Sequence, residues 1–167
     1  MRGVLLIANT SLIPLYEINL NGENKMKYKN IEIINVINFL SKFGDMKLPA
    51  KISFAIIKNQ NYFNKEYKDY TDALKKVYES YSDYFKKNDH GDIITNDASI
   101  PIIEDKEVSQ KMYNEINDLL FLEVKVERFY IDESVFDYDD SKYDVLTPKD
   151  MFGLMDFLCN KKEEKKE

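Results

Sequence analysis

The chain has 167 residues, with 24 Lys+Arg against 30 Asp+Glu, a formal net charge of -6, 44% hydrophobic and 32% charged residues. That length suits one domain with its own hydrophobic core, and the sign of the charge disfavours nucleic-acid binding by direct phosphate neutralisation. One cysteine, Cys159, and one histidine, His90, exclude an internal disulfide, a thiolate-rich zinc site and a His-pair metal motif within one chain.

Only Arg2 and Arg128 among the basic residues are arginine. Arginine is the usual bidentate grip on phosphate, so an arginine-built phosphate clamp is not expected. The aromatic residues are 12 Tyr and 10 Phe, with no Trp. The first apolar run, residues 4–8, is broken by Asn9, Thr10 and Ser11, and reads as a strand rather than a secretory core. No run approaches the roughly 20 apolar residues that a spanning helix needs, so no membrane is expected. A free cysteine fits a reducing cytoplasm.

In chain order, residues 4–8 and 12–18 read as an extended N-terminal pair, with Pro14 marking an edge or irregular strand. Asn21-Gly22 is a turn signal before the alternating strand 25–29. Asn30 is a candidate cap for a helix with Ile33, Ile34, Ile37, Leu40 and Phe43 on one face, and Gly44 a left-handed stop. After Pro49, Phe63, Tyr67, Tyr70, Leu74, Val77, Tyr81 and Tyr84 alternate steps of four and three. With no Gly or Pro from 50 to 88, the pattern predicts one long helix. The 63–84 stripe can pack on the chain's own shorter helices or on a second copy, a homodimer.

Residues 88–92 read as a turn, and 93–94 with 100–102 as a small hairpin about Asn96-Asp97. Asp105 can cap a helix bearing Val108, Met112, Ile116, Leu119 and Leu120. Val124, Val126 and then residues 129–136 read as strand or extended chain. Thr147-Pro148-Lys149-Asp150 starts a last helix with Met151, Leu154, Met155 and Leu158 on its apolar face. The tail, 161–167, carries mixed charge and is expected to fray. No internal repeat and no linker divides residues 1–160, which read as one domain.

Catalytic chemistry finds little support. Asp89, His90 and Asp92 could ligate a divalent cation, but polar residues around a glycine read more simply as a solvated turn. Residues 137–141 alternate acids as a calcium loop does, yet lack the glycine and the bidentate glutamate that such a site requires. Cys159 reads as a partly buried structural thiol. The five glycines are scattered singly, so no phosphate-cradling loop is formed. No catalytic residue, metal or cofactor is expected.

The charge is unevenly placed. Residues 121–160 hold 10 acids against 4 bases, a net of -6, while residues 1–120 are nearly balanced. Tyr130, Asp132, Glu133, Asp137, Tyr138, Asp139, Asp140, Tyr143 and Asp144 combine steering charge with apolar anchors, as a partner-binding surface does. A solvated acidic loop that keeps the chain soluble explains the same composition.

A resemblance runs through residues 26–159. It is carried by Leu48-Pro49-Ala50-Lys51, Ile56-Ile57-Lys58-Asn59, Glu66-Tyr67, Asn88-Asp89-His90-Gly91-Asp92 and Ile103-Glu104-Asp105. It continues through Glu115-Ile116-Asn117-Asp118-Leu119-Leu120, Leu122-Glu123-Val124-Lys125-Val126 and Leu146-Thr147-Pro148. This order resembles small phage and prophage proteins of unknown function from low-GC Gram-positive bacteria. Residues 1–25 stand outside it. The resemblance implies a phage context and transfers no active site.

The fold expected is α+β and mainly helical: one long central helix on shorter helices, with an N-terminal strand pair and a small β-hairpin. The expected function is a non-enzymatic phage protein in the host cytoplasm that binds a host protein or ribonucleoprotein. Inhibition of a defence system such as a CRISPR effector is its most concrete form. A virion or tail-region assembly protein is the alternative, and a sponge for a small-molecule signal the third.

Overall fold

The computed structural model describes residues 25–159. The expected strands at 4–8 and 12–18, the 21–22 turn and the 161–167 tail lie outside those residues. Strand β1 (Lys25–Lys29) pairs antiparallel with β2 (Glu123–Glu127), Met26 opposite Val126 and Tyr28 opposite Val124. Alternation puts Tyr28, Val124 and Val126 on the helices, where they pack with Ile33 and Phe63. The other face carries charge, including the exposed pair Lys27–Glu123 at 3.5 Å.

Helix α1 (Asn30–Ser41) follows β1 without a loop. Asn30 is its first helical residue and not its cap; the Lys29 N–H instead donates to Glu32 Oε2 at 2.7 Å. Asn30 is buried because it serves another helix: its Nδ2 donates to the Leu119 carbonyl at 2.7 Å and its N–H to the Leu122 carbonyl at 3.2 Å. Gly44 is not left-handed either. Tight turns donated by Lys42, Phe43 and Gly44 extend the helix end, which keeps Phe43 on the buried face.

Helix α2 (Ala50–Ser80) has 31 residues, about 45 Å at 1.5 Å per residue. Its buried positions Ile52, Ala55, Ile56, Asn59 and Phe63 lie three and four apart in the first half. It stops at Ser80 rather than 88. Tyr81 leaves the helical region, Ser82–Tyr84 form a 3₁₀ turn, and Phe85 is extended so that its ring reaches Ile103 and Met112. Tertiary burial of Phe85 therefore ends a helix that no Gly or Pro interrupts. Along the stripe, Phe63 is buried, Tyr70, Leu74, Val77 and Tyr81 are half-buried, and Tyr67 and Tyr84 are exposed.

The connection from 85 to 103 contains a repeat that the sequence reading missed. Lys87 bridges Ile93, Thr95 bridges Pro101 eight residues on, and Phe85 bridges Ile103 to close the ring. The Ile94 N–H donates to the Lys86 carbonyl (2.9 Å), Ile102 to Ile94 (2.9 Å), and Lys86 to Ile102 (2.8 Å). Two corners are alike. Asn88 Oδ1 accepts from the N–H groups of His90 and Asp92, and Asn96 Oδ1 from those of Ala98 and Ile100. The residue three on has positive φ in each: Gly91 at 86° and Ser99 at 60°. The expected hairpin is thus two sides of a three-sided ring.

Helix α3 (Lys106–Phe121) starts at Asp105, whose carboxylate accepts from the Glu107 and Val108 N–H groups. Helix α4 (Pro148–Leu158) starts as its sequence predicts, with Thr147 capping the Asp150 N–H and Pro148 in the first turn. The largest buried cluster joins Leu40 and Phe43 of the α1 end, Ile52, Ala55 and Ile56 of α2, and Leu154 and Leu158 of α4. Gly153 lets α4 close on α1, since a Cβ there would meet Phe39 Cζ at 2.9 Å. Phe85, Ile103 and Met112 form a separate cluster at the far end of α2.

Candidate functional site

The acidic segment is strapped to the body at three points. Asn59, fully buried in α2, accepts from the Phe129 N–H (3.0 Å) and donates to the Phe129 carbonyl (2.8 Å). Ile131 bridges Cys159 in parallel, its N–H donating to the Leu158 carbonyl at 2.9 Å. Asp144 and Lys47 exchange two bonds: the Lys47 N–H to Asp144 Oδ2 at 2.7 Å and the Asp144 N–H to the Lys47 carbonyl at 2.9 Å. Phe136, between the straps, and Leu146, just past the last of them, enter the main cluster.

These constraints divide the nine residues singled out in the sequence. Asp132 caps the 3₁₀ turn Glu133–Phe136, accepting from the Ser134 N–H and hydroxyl. Asp139 accepts from the Ser141 N–H and hydroxyl, which hold its carboxyl below the ordinary value. Asp144 is the strap to Lys47, and Asp140 opens the turn Asp140–Lys142. Tyr138 packs inward on the main cluster and meets Tyr143 edge-on at 5.5 Å. Tyr130 is half-buried, with its hydroxyl on Met26 Sδ at 3.2 Å. The expected aromatic anchors are therefore at least partly committed to the fold. An Asp-x-Ser spacing, at 132–134 and again at 139–141, is the local signal that marks two of the acids as turn-formers.

Glu133 and Asp137 remain as exposed carboxylates on a common feature. With Ser134 they rim an open cleft of about 550 Å³ whose apolar lining is Phe136, Met151 and Met155. Exposed apolar groups lie close in sequence: Phe152, 71% exposed, next to Met151, and Val145, 74% exposed, before Leu146. An apolar floor with an acidic rim matches a side chain or peptide that is apolar along its stem and cationic at its tip. Cys159 borders this region, and its thiol is pushed up by burial first and then by Glu133 and Asp132. A raised thiol holds less thiolate at neutral pH and is the slower nucleophile for it.

A second polar centre lies beside β1. Arg128 is 9% exposed, with Cζ 3.9 Å from the Phe157 ring centroid and 4.8 Å from that of Tyr130. Its Nη1 donates to Tyr28 Oη at 3.1 Å and approaches Met26 Sδ at 3.7 Å. Among the described residues, nothing accepts from the buried Nε and Nη2. Burial raises the Tyr28 phenol above its ordinary value, with Arg128 opposing. Leaving a buried donor unpaired costs about 1–3 kcal/mol, more for a charged group, so the two rings offset only part of this arrangement.

Among the described residues, no group of three or more His, Cys, Asp or Glu side chains is placed to hold a metal ion. Asp89, His90 and Asp92 are exposed on a ring corner, where Asp92 accepts from Asn88 Nδ2. No described helix is long and apolar enough to cross a membrane. No protein-family model, curated protein or solved structure matches the chain.

Proposed function

We propose that this is a non-enzymatic phage or prophage protein that binds a basic segment of a host protein or ribonucleoprotein in the host cytoplasm. In its most concrete form it blocks a bacterial defence effector. The observation that carries the reading is the cleft: Glu133 and Asp137 rim a floor of Phe136, Met151 and Met155 within the stretch that holds the chain's excess charge. Acidic rims speed encounter with cationic partners, and methionine floors adapt to varied apolar stems. The phage context rests on the sequence resemblance alone.

The test is affinity capture from a Gram-positive bacterial lysate with the wild-type protein and the double variant E133K/D137K. These two acids are chosen because Asp132, Asp139 and Asp144 also shape turns and straps, so reversing those would confound binding with folding. A basic protein retained by the wild type and lost by the folded variant supports the reading; equal retention by both rejects it. A second reading, a virion or assembly component, draws on the exposed Tyr67 of α2 and Tyr84 of the turn that follows it. A stable homo-oligomer by light scattering would select it.

A further inference from the structure

We propose that Arg128 is a binding site for a single carboxylate group, received on the Nε–Nη2 edge of its guanidinium. Three observations converge on that edge. First, the guanidinium is nine-tenths buried, and among the described residues no carboxylate pairs with it. Second, the unfilled donors are not scattered. Nη1 lies on the Cδ side and is engaged with Tyr28 and Met26, so Nε–H and Nη2–H are the two parallel donors of one fork. A carboxylate meets such a fork with both oxygens at once. Third, the group is held in place without Tyr130: the Phe157 ring lies 3.9 Å from Cζ, Tyr28 fixes Nη1, and the Asn59 clamp on Phe129 fixes the adjoining backbone. Little side-chain freedom is left to lose when an acceptor arrives.

The chemistry selects a planar monoanion over a phosphate. One guanidinium supplies one positive charge, which a single carboxylate balances and a phosphate dianion exceeds in a buried place. Entry needs a neighbour to give way, and the half-buried Tyr130 is suited to it. Its hydroxyl is held by the Met26 thioether, a weak acceptor on a side chain that is 45% exposed. This site is separate from the acid-rimmed cleft and does not depend on it.

The chain contains only Arg2 and Arg128, so its arginine Nε–Hε correlation spectrum carries two signals. R2K removes one and assigns the other without touching the buried residue. Full-length protein is titrated with sodium acetate, with N-acetyl-glutamate amide, with inorganic phosphate, and with chloride at matched ionic strength. The expected result is a saturable downfield shift of the Arg128 Hε with slowed solvent exchange, no response to chloride, and an unmoved Arg2. A response to acetate identifies a free small carboxylate as sufficient; a response to the glutamyl amide alone identifies a protein side chain as the source. No saturable response to either carboxylate overturns the proposal, as does a stronger response to phosphate. A signal already far downfield and insensitive to every addition also overturns it, because the acceptor then comes from within the chain. E133K/D137K should titrate like the wild type, which separates failure here from failure of the cleft reading.

Discussion

The side chain of Asn59 replaces a β-strand for Phe129. Its carboxamide accepts from the Phe129 N–H and donates to the Phe129 carbonyl, across a sequence separation of 70 residues. The same Nδ2 also donates to the Ala55 carbonyl one helical turn back, which locks the rotamer. Asn59→Ala would leave both backbone groups of Phe129 unpaired in a half-buried place. The expected loss is roughly 2–4 kcal/mol, read as a lower urea midpoint with an unchanged slope. Asn59→Asp should not rescue it, since a carboxylate cannot donate to the carbonyl. An unfolding free energy within about 0.5 kcal/mol of wild type, by the usual neutral-surface standard, would show that the clamp is dispensable.

The two matched ring corners predict opposite effects from single substitutions. Gly91 has φ 86° and open space around its Cα, so Gly91→Ala adds backbone strain without a clash. It should destabilise by about 1–2 kcal/mol. Ser99 already carries that conformation at φ 60°, so Ser99→Gly should be stabilising or neutral, within about 1 kcal/mol. Thermal midpoints of the pair decide it: two shifts of the same sign would break the equivalence of the corners.

Cys159 can report on the cleft. Its thiol is raised by burial and, secondarily, by Glu133 and Asp132. Glu133→Gln should lower the thiol pKa and quicken alkylation by iodoacetamide at fixed pH, and E133K should do so further. Asp132 is a poorer choice because it also caps the 133–136 turn. Equal rates in all three proteins would mean that the Glu133 charge does not reach the sulfur.

The tyrosines set an alkaline limit. Burial raises the phenols of Tyr28, Tyr62, Tyr70 and Tyr78 above the ordinary 10.0. For a raised group the folded state holds its proton more tightly than the unfolded state. Its stabilisation is fully present below pH 10 and is lost as pH climbs through the folded value. Stability should therefore fall above pH 10, with part of the tyrosinate absorbance delayed until the chain opens. A tyrosinate titration that follows free phenol throughout would contradict this.

Local chemistry made much of this fold readable. Asp105 and Thr147 are caps because a short side-chain acceptor just before an apolar-periodic run has one cheap use. Tyr28 and Val124 read as strand residues, but their pairing joins segments nearly a hundred residues apart with no turn to announce it. Asn30 was misread for the same reason: its partner, the Leu119 carbonyl, is remote. The end of α2 was hidden because Phe85 chooses its place by packing, and the ring because each side is one bridge long. As for the site, charge density located the cleft, and the Met151 and Met155 spacing supplied its floor. Composition could not say which acids are engaged: Asp132 and Glu133 are both exposed, but Asp132 is held by the Ser134 N–H and hydroxyl. The scarcity of arginine spoke against an arginine-built phosphate clamp, while the burial of Arg128 depends on Phe157 and Tyr130 meeting it in space.

The closed ring at 85–103 sets a folding order. Its bonds join residues 18 apart or fewer, and it lies between two helices that share its apolar cluster, so that end of the molecule assembles from near neighbours. Joining β1 to β2 demands closure of a loop of more than ninety residues, a larger entropic cost to meet before any bond rewards it. In pulse-labelled exchange, the Ile94 and Ile102 amides should gain protection before those of Met26 and Val126. Arg128 sits just past β2 and the cleft depends on straps to α2 and α4, so both candidate binding sites belong to the half that folds late. A chain still being synthesised would carry a finished ring end and neither site.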